Sequence, residues 1–169
     1  MDADGGERPR TPDLLADDRL TAMGLLVETS TALIAAFEAE LEELGLAGSS
    51  FEVLLRLARS PGERLRMSDL AAQSTLTNSG LTRLVDRLEA AGEVVREPCE
   101  TDRRGSFACL TPAGRARVLA VLPAHLATVD RLLTGVLHPD ELVAFLATLR
   151  RLRAVVAPGA DPATAPQDD

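Results

Sequence analysis

The sequence contains no lysine, tryptophan or tyrosine, and only four phenylalanines. A core so poor in rings has to be filled by leucine, valine and alanine. That suits helices docked on helices better than a two-sheet sandwich. Cysteine is almost absent as well: Cys99 and Cys109 stand without metal-ligand spacing, which excludes a disulfide-stapled secreted scaffold and points to a reducing cytoplasm. No unbroken run of 18 apolar residues occurs, so no membrane partner is expected. The opening "MDADGGERPR" has no apolar stretch of the signal-peptide kind. Missing too are a nucleophile beside a base, positioned pairs of carboxylates and a phosphate-binding glycine loop, so an enzyme is not expected. His125 and His138 have no Cys/His cluster around them, and neither a metal nor a cofactor is expected.

What is present is arginine. It supplies all 18 basic residues, each able to make forked contacts. The net charge of −8 argues mildly against nucleic acid as a partner, but the charge is unevenly spread. From Gly62 to Arg117 nine arginines meet eight carboxylates, a net of +1, so the flanks together carry −9. The 169 residues suit one domain of ordinary size.

Residues 1–10 and the Pro- and Asp-rich end, 157–169, read as disordered tails. Between them the signals are mostly helical. A long amphipathic run follows Pro12, with apolar residues recurring at helical spacing (Leu26, Leu33, Phe37, Leu41, Leu44) and Gly45 as C-cap. "SSFEVLLRLARSPG" predicts a helix capped by Ser49 and ended by Pro61-Gly62, and "RLRM" a short strand or an extended link. "SDLAAQSTL" predicts a short helix capped by Ser68, and "TNSGLTRLVDRLEAAG" one capped by Thr77 and closed by Gly92. The runs "EVVRE" and "SFACL" predict a hairpin in which Cys109 faces Val95 and Pro98 interrupts the first strand. Cys99 then lies near the loop, out of register with Cys109, so an intramolecular disulfide is not expected. A long helix starts with Thr111 as N-cap and Pro112 at its first position, and Pro123 should kink it. "HPDELVAFLATLRRLRAVV" makes the last helix. The fold class is therefore mainly α, as an α+β winged helix-turn-helix with long N- and C-terminal helices.

At 100° per residue, Leu81, Leu84, Val85 and Leu88 share one face of the helix after Thr77. Ser79, Arg83, Asp86 and Arg87 lie opposite, with Thr82 at the edge. Such a helix is about 20 Å long, and a major groove admits one helix, with arginine its commonest reader of guanine. The hairpin loop carries Asp102, Arg103 and Arg104. Arginine at that tip suits a minor groove, and an Asp102–Arg104 ion pair would orient the guanidinium.

The stretch "TNSGLTRLVDRLEAAGEVVREPCETDRRGSFACLTPAGRA" resembles the MarR (multiple antibiotic resistance regulator) family of bacterial transcription factors. The likeness rests on "TRLVDRLEAAG", on "DRR" as the family's Asp-x-Arg and on "LTPAG". It implies an obligate homodimer whose terminal helices intertwine, and two winged domains that bind double-stranded DNA at a pseudo-palindromic operator, as a repressor. The implied parts are an N-terminal dimerisation helix in 11–48, a winged helix-turn-helix in 49–111 and C-terminal dimerisation helices in 112–156. Recognition helix 77–91 would enter the major groove, and wing 94–110 the minor groove. Thr77, Asn78, Ser79, Thr82, Arg83 and Arg87 would face bases and phosphates, Ser68 and Gln73 would reach phosphates, and Asp102, Arg103 and Arg104 would serve the wing.

The resemblance also implies a small phenolic or anionic effector. An apolar cleft beside "FEVLLRLA", with Arg19, Arg56 or Arg59 as anion partner, would suit one. Of the two cysteines, Cys99 on the wing is the better candidate for a reactive thiol. The alternative to a DNA-binding regulator is a winged-helix module that binds protein.

Overall fold

The computed structural model describes residues 14–99 and 105–158. Helix α1 runs Asp18–Glu43, α2 Gly48–Ala58, α3 Met67–Gln73, α4 Asn78–Ala90, α5 Pro112–Leu132 and α6 Pro139–Val156. The strands are β1 Arg64–Arg66, β2 Val94–Pro98 and β3 Ser106–Leu110, in one antiparallel sheet of order β1-β3-β2. The winged-helix expectation is met, and "RLR" resolves as a strand. The chain divides into two compact units, with the boundary inside α1 between Ala36 and Phe37.

Within the unit from Phe37 onward, the core is aliphatic. Val53, Leu54 and Leu57 of α2, Leu70 of α3, Leu81, Leu84 and Val85 of α4, Val94 of β2 and Val118 of α5 are almost fully enclosed. These are the stripe residues that helical periodicity selects, and their burial supplies most of the stabilising free energy. Helix ends follow local chemistry. Gly45 and Gly92, both with positive φ, let α1 and α4 turn off, and the next amides reach back to the Leu41 and Leu88 carbonyls. Thr77 and Thr111 cap α4 and α5 by accepting from Gly80 N (3.2 Å) and Gly114 N (3.1 Å). His138 precedes α6, and its N–H donates to Glu141 at 2.7 Å.

Four local expectations need correction. Ser49 and Ser68 are not caps: α2 and α3 begin one residue earlier than each, after Ala47 and Arg66, with no side-chain cap bond. Pro98 does not interrupt β2 but ends it, on an edge strand where a missing N–H is tolerated. Pro123 leaves α5 a continuous helix of 21 residues. Lastly, although no unbroken apolar run exists, Asp18–Glu43 and Pro112–Val136 are long and apolar enough on average to cross a membrane, with mean hydropathies of 1.6 and 1.2. Long helices that dock on other helices share that property.

The wing register agrees with expectation, with Val95 opposite Cys109 and Val94 opposite Leu110. Gly114 explains the last part of "LTPAG". A Cβ there would overlap the Glu93 carbonyl oxygen, the acceptor that also takes Thr111 N (3.1 Å). Thr111 Oγ1 donates to Gly92 O at 2.7 Å. Together these bonds seat the start of α5 on the turn between α4 and the wing.

Candidate nucleic-acid interface

Helix α4 is 13 residues long. Its buried residues are Leu81, Leu84, Val85 and Leu88, while Asn78, Ser79, Thr82, Arg83, Asp86 and Arg87 are exposed. The polar face therefore stands where periodicity put it. Thr77 Oγ1 is committed to the cap, with Ser79 Oγ 3.4 Å away, and Thr82 donates back to Asn78 O at 2.9 Å. Among the described residues, the guanidiniums of Arg83 and Arg87 make no ion pair, so both remain available to an external anion. Ser68, Asn78 and Thr82 border one concavity between α3 and α4. Small polar groups at a helix start are suited to phosphate.

Asp86 and Glu89 on α4 would repel that phosphate. Arg96 of β2 answers both. Its guanidinium lies 2.8 Å from Asp86 and 2.6 Å from Glu89, and it also donates to the Thr82 carbonyl at 3.3 Å. The Arg96 backbone N–H adds a bond to Glu89 Oε1 at 3.1 Å. Sequence reasoning counted Arg96 among the local cations without giving it this role. The signal was available: Asp86 and Glu89 at i,i+3 spacing, with an arginine on the strand that follows.

The remaining predicted residues fall elsewhere. Asp102, Arg103 and Arg104 lie outside the described residues. Gln73 does not reach toward a phosphate: it is 6% exposed and lines a different cavity, together with Arg56 and Arg59. Arg19 is not among that cavity's lining residues. Its side chain is held by Asp17, through Nε–Oδ1 at 2.9 Å and Nη2–Oδ2 at 2.5 Å, and this contact lowers the Asp17 carboxyl pKa from its ordinary value.

Cys99 and Cys109 are both buried and in no disulfide, so Cys99 is not the exposed thiol expected of a redox sensor. Burial, together with a hydrogen bond to Glu97, pushes the Cys109 thiol up to about 11.

The sequence model of the MarR family matches residues 44–105. AbsC, a MarR family transcriptional regulator from Streptomyces coelicolor, is 34% identical in sequence and superposes with a TM-score of 0.75, covering 88% of this chain and 97% of that one. The chain belongs to the MarR family.

A second MarR-family regulator from the same organism, Sco3205, whose structure is in complex with DNA, is 31% identical with a TM-score of 0.75, over 89% of this chain and 93% of that one. The transcriptional repressor YetL of Bacillus subtilis is 32% identical over 57% of this chain and 57% of its own length. The MarR match takes in α2 through β2 together with the loop that carries Asp102, Arg103 and Arg104. A MarR-family chain of this kind is a transcriptional regulator and not an enzyme.

Proposed function

We propose that this MarR-family regulator acts as a cytoplasmic homodimeric repressor that binds a pseudo-palindromic operator and releases it on binding a small effector. One observation carries the DNA reading: α4 buries one aliphatic stripe and presents Arg83 and Arg87, uncommitted to any carboxylate, on the opposite face. The helix enters the major groove with Ser79, Thr82 and Arg83 toward base edges and with Ser68, Asn78 and Arg87 toward the backbone. Residues 94–110 form the wing, whose Arg103 and Arg104 approach the minor groove, with Asp102 orienting the second.

Dimerisation is supported by apolar surface on the terminal helices. On α1, Leu20, Met23, Leu25, Leu26, Val27 and Ile34 are exposed. On α6, so are Val143, Leu146, Leu149, Leu152, Val155 and Val156. A monomer seldom leaves that much apolar surface in water. Paired winged domains place two recognition helices about 34 Å apart, one turn of DNA.

The test is fluorescence anisotropy of the full chain on its own upstream DNA at two salt concentrations, beside an Arg83→Ala/Arg104→Ala double mutant, with light scattering for mass. A particle of twice 17.9 kDa whose tight, salt-dependent binding is lost in the mutant supports the reading. Equal, weak binding by both proteins, persisting on a random-sequence DNA pool, would point to a protein partner.

A further inference from the structure

We propose that the cavity on the outer side of α2 is the effector site, that it takes a small planar carboxylate, and that Glu52 carries its occupancy to the turn before the recognition helix. This rests on the ligand-responsive reading above. The cavity has a volume of about 400 Å³, within the range of small-molecule sites. Phe51 and Leu55 give it an apolar wall, and Arg56, Arg59, Arg153 and Gln73 its polar one.

Three features ask for an anion with a further polar group. Three guanidiniums meet one lining carboxylate, Glu52. Arg59 is exposed and has no ion pair among the described residues, and Arg56 Nε is buried without a hydrogen-bond partner. Gln73 is 6% exposed, and its amide has no hydrogen-bond partner among the described residues. A buried amide aimed at a cavity and left unmatched by protein is matched by what the cavity holds. A carboxylate across Arg56 and Arg59 answers the charge, a flat apolar body lies along Phe51 and Leu55, and a hydroxyl or carbonyl on that body meets Gln73.

The route to DNA is short. Glu52 Oε1 accepts from Arg56 Nη2 at 3.1 Å, and the same carboxylate accepts from Thr75 N (3.3 Å) and Thr75 Oγ1 (3.0 Å). Thr75 lies in the turn between α3 and α4, two residues beyond Gln73. A ligand carboxylate on Arg56 competes with Glu52 for that guanidinium, and Glu52 is the group that ties the helix-turn-helix turn to α2. Ligand and DNA then favour different settings of one turn, which is the differential affinity that coupling requires.

Sodium benzoate is the probe, with benzamide as its uncharged counterpart and inorganic phosphate as an anion lacking the flat body. Isothermal titration calorimetry on the full chain without DNA is expected to show saturable benzoate binding and none with benzamide or phosphate. Affinity should fall at least tenfold in Arg59→Ala and in Gln73→Leu and stay unchanged in Arg131→Ala. Should Gln73→Leu fail to fold, the exposed Arg59 variant decides. Absence of benzoate binding, or binding indifferent to Arg59→Ala, overturns the site, and phosphate binding as strong as benzoate overturns the assigned ligand class.

Anisotropy on DNA then reads the relay. Saturating benzoate should weaken wild-type binding at least fivefold, and the Glu52→Gln variant less than twofold. Benzoate binding without any effect on DNA overturns the relay while leaving the site. Because calorimetry uses no DNA, failure of the DNA-binding reading and failure of the site are told apart.

Discussion

Arg96 on strand β2 holds Asp86 of helix α4 at 2.8 Å and so fixes the wing against the recognition helix. Both partners are partly exposed, so the pair adds about 1 kcal/mol or less to stability. Its larger effect is on the DNA face, where it masks Asp86 and Glu89. Arg96→Ala is therefore expected to leave Tm nearly unchanged and to weaken operator binding roughly tenfold, about 1.4 kcal/mol. Adding Asp86→Ala and Glu89→Ala should restore most of the loss. A variant as tight as wild type would remove this role.

Arg83 and Arg87 should fail differently. Arg83 lies in the half of α4 nearer its start, the part of a recognition helix that meets base edges. Arg83→Ala should cost about 1–3 kcal/mol on the operator and little on random DNA. Arg87→Ala should weaken both alike and lower the slope of affinity against salt by about one. Titrations on both DNAs at several salt concentrations separate the two patterns.

Gly114 tolerates no side chain. Its missing Cβ is where the Glu93 carbonyl sits, and backbone cannot yield as a flexible side chain can. Gly114→Ala should cost about 2–3 kcal/mol or more in urea denaturation. Gly24, with open space around it, is the control: Gly24→Ala within α1 should be neutral or slightly stabilising.

Cys109 predicts an alkaline dependence. Its folded-state thiol titrates near 11 against an ordinary value of 9.0. Between those values the unfolded chain has lost the proton and the folded one keeps it, so the contribution is complete below pH 9 and is lost as pH rises toward 11. Chemical denaturation at pH 8, 9.5 and 10.5 should show this decline, and Cys109→Ala should flatten it. Both buried thiols should react slowly with a disulfide reagent at pH 7.5 and quickly in urea.

His125 of α5 sits between two rings, 5.3 Å from Phe37 and 4.7 Å from Phe51, with Nδ1 2.8 Å from Glu40 Oε2. The Glu40 carboxylate is largely buried, and its other oxygen has no partner. His125→Ala should cost about 2–4 kcal/mol, part from the cavity and part from the stranded carboxylate. Adding Glu40→Leu should recover some of it, read as a non-additive double-mutant cycle.

The order of elements and the face of α4 were legible because both rest on local rules: a 3.6-residue period, threonine caps before Gly80 and Gly114, and glycines where φ is positive. The Val95–Cys109 register followed from hairpin geometry. Two features were not legible. Gln73 closes a helix of only seven residues, too short for periodicity to tell its inner face from its outer one. Arg96 gains its meaning from side chains on α4, seven and ten positions earlier, which a strand-and-hairpin reading does not place beside it.

The sheet of the wing has two edges, and neither invites another strand. One is β1, three residues long, and the other is β2, ended by Pro98 and carrying Glu97. Short or proline-ended edges give a stray chain few amides to join. A protein with this much exposed apolar helix surface can thus associate through its helices without its hairpins seeding fibrous aggregates, and crowding along a DNA duplex leaves its wings separate.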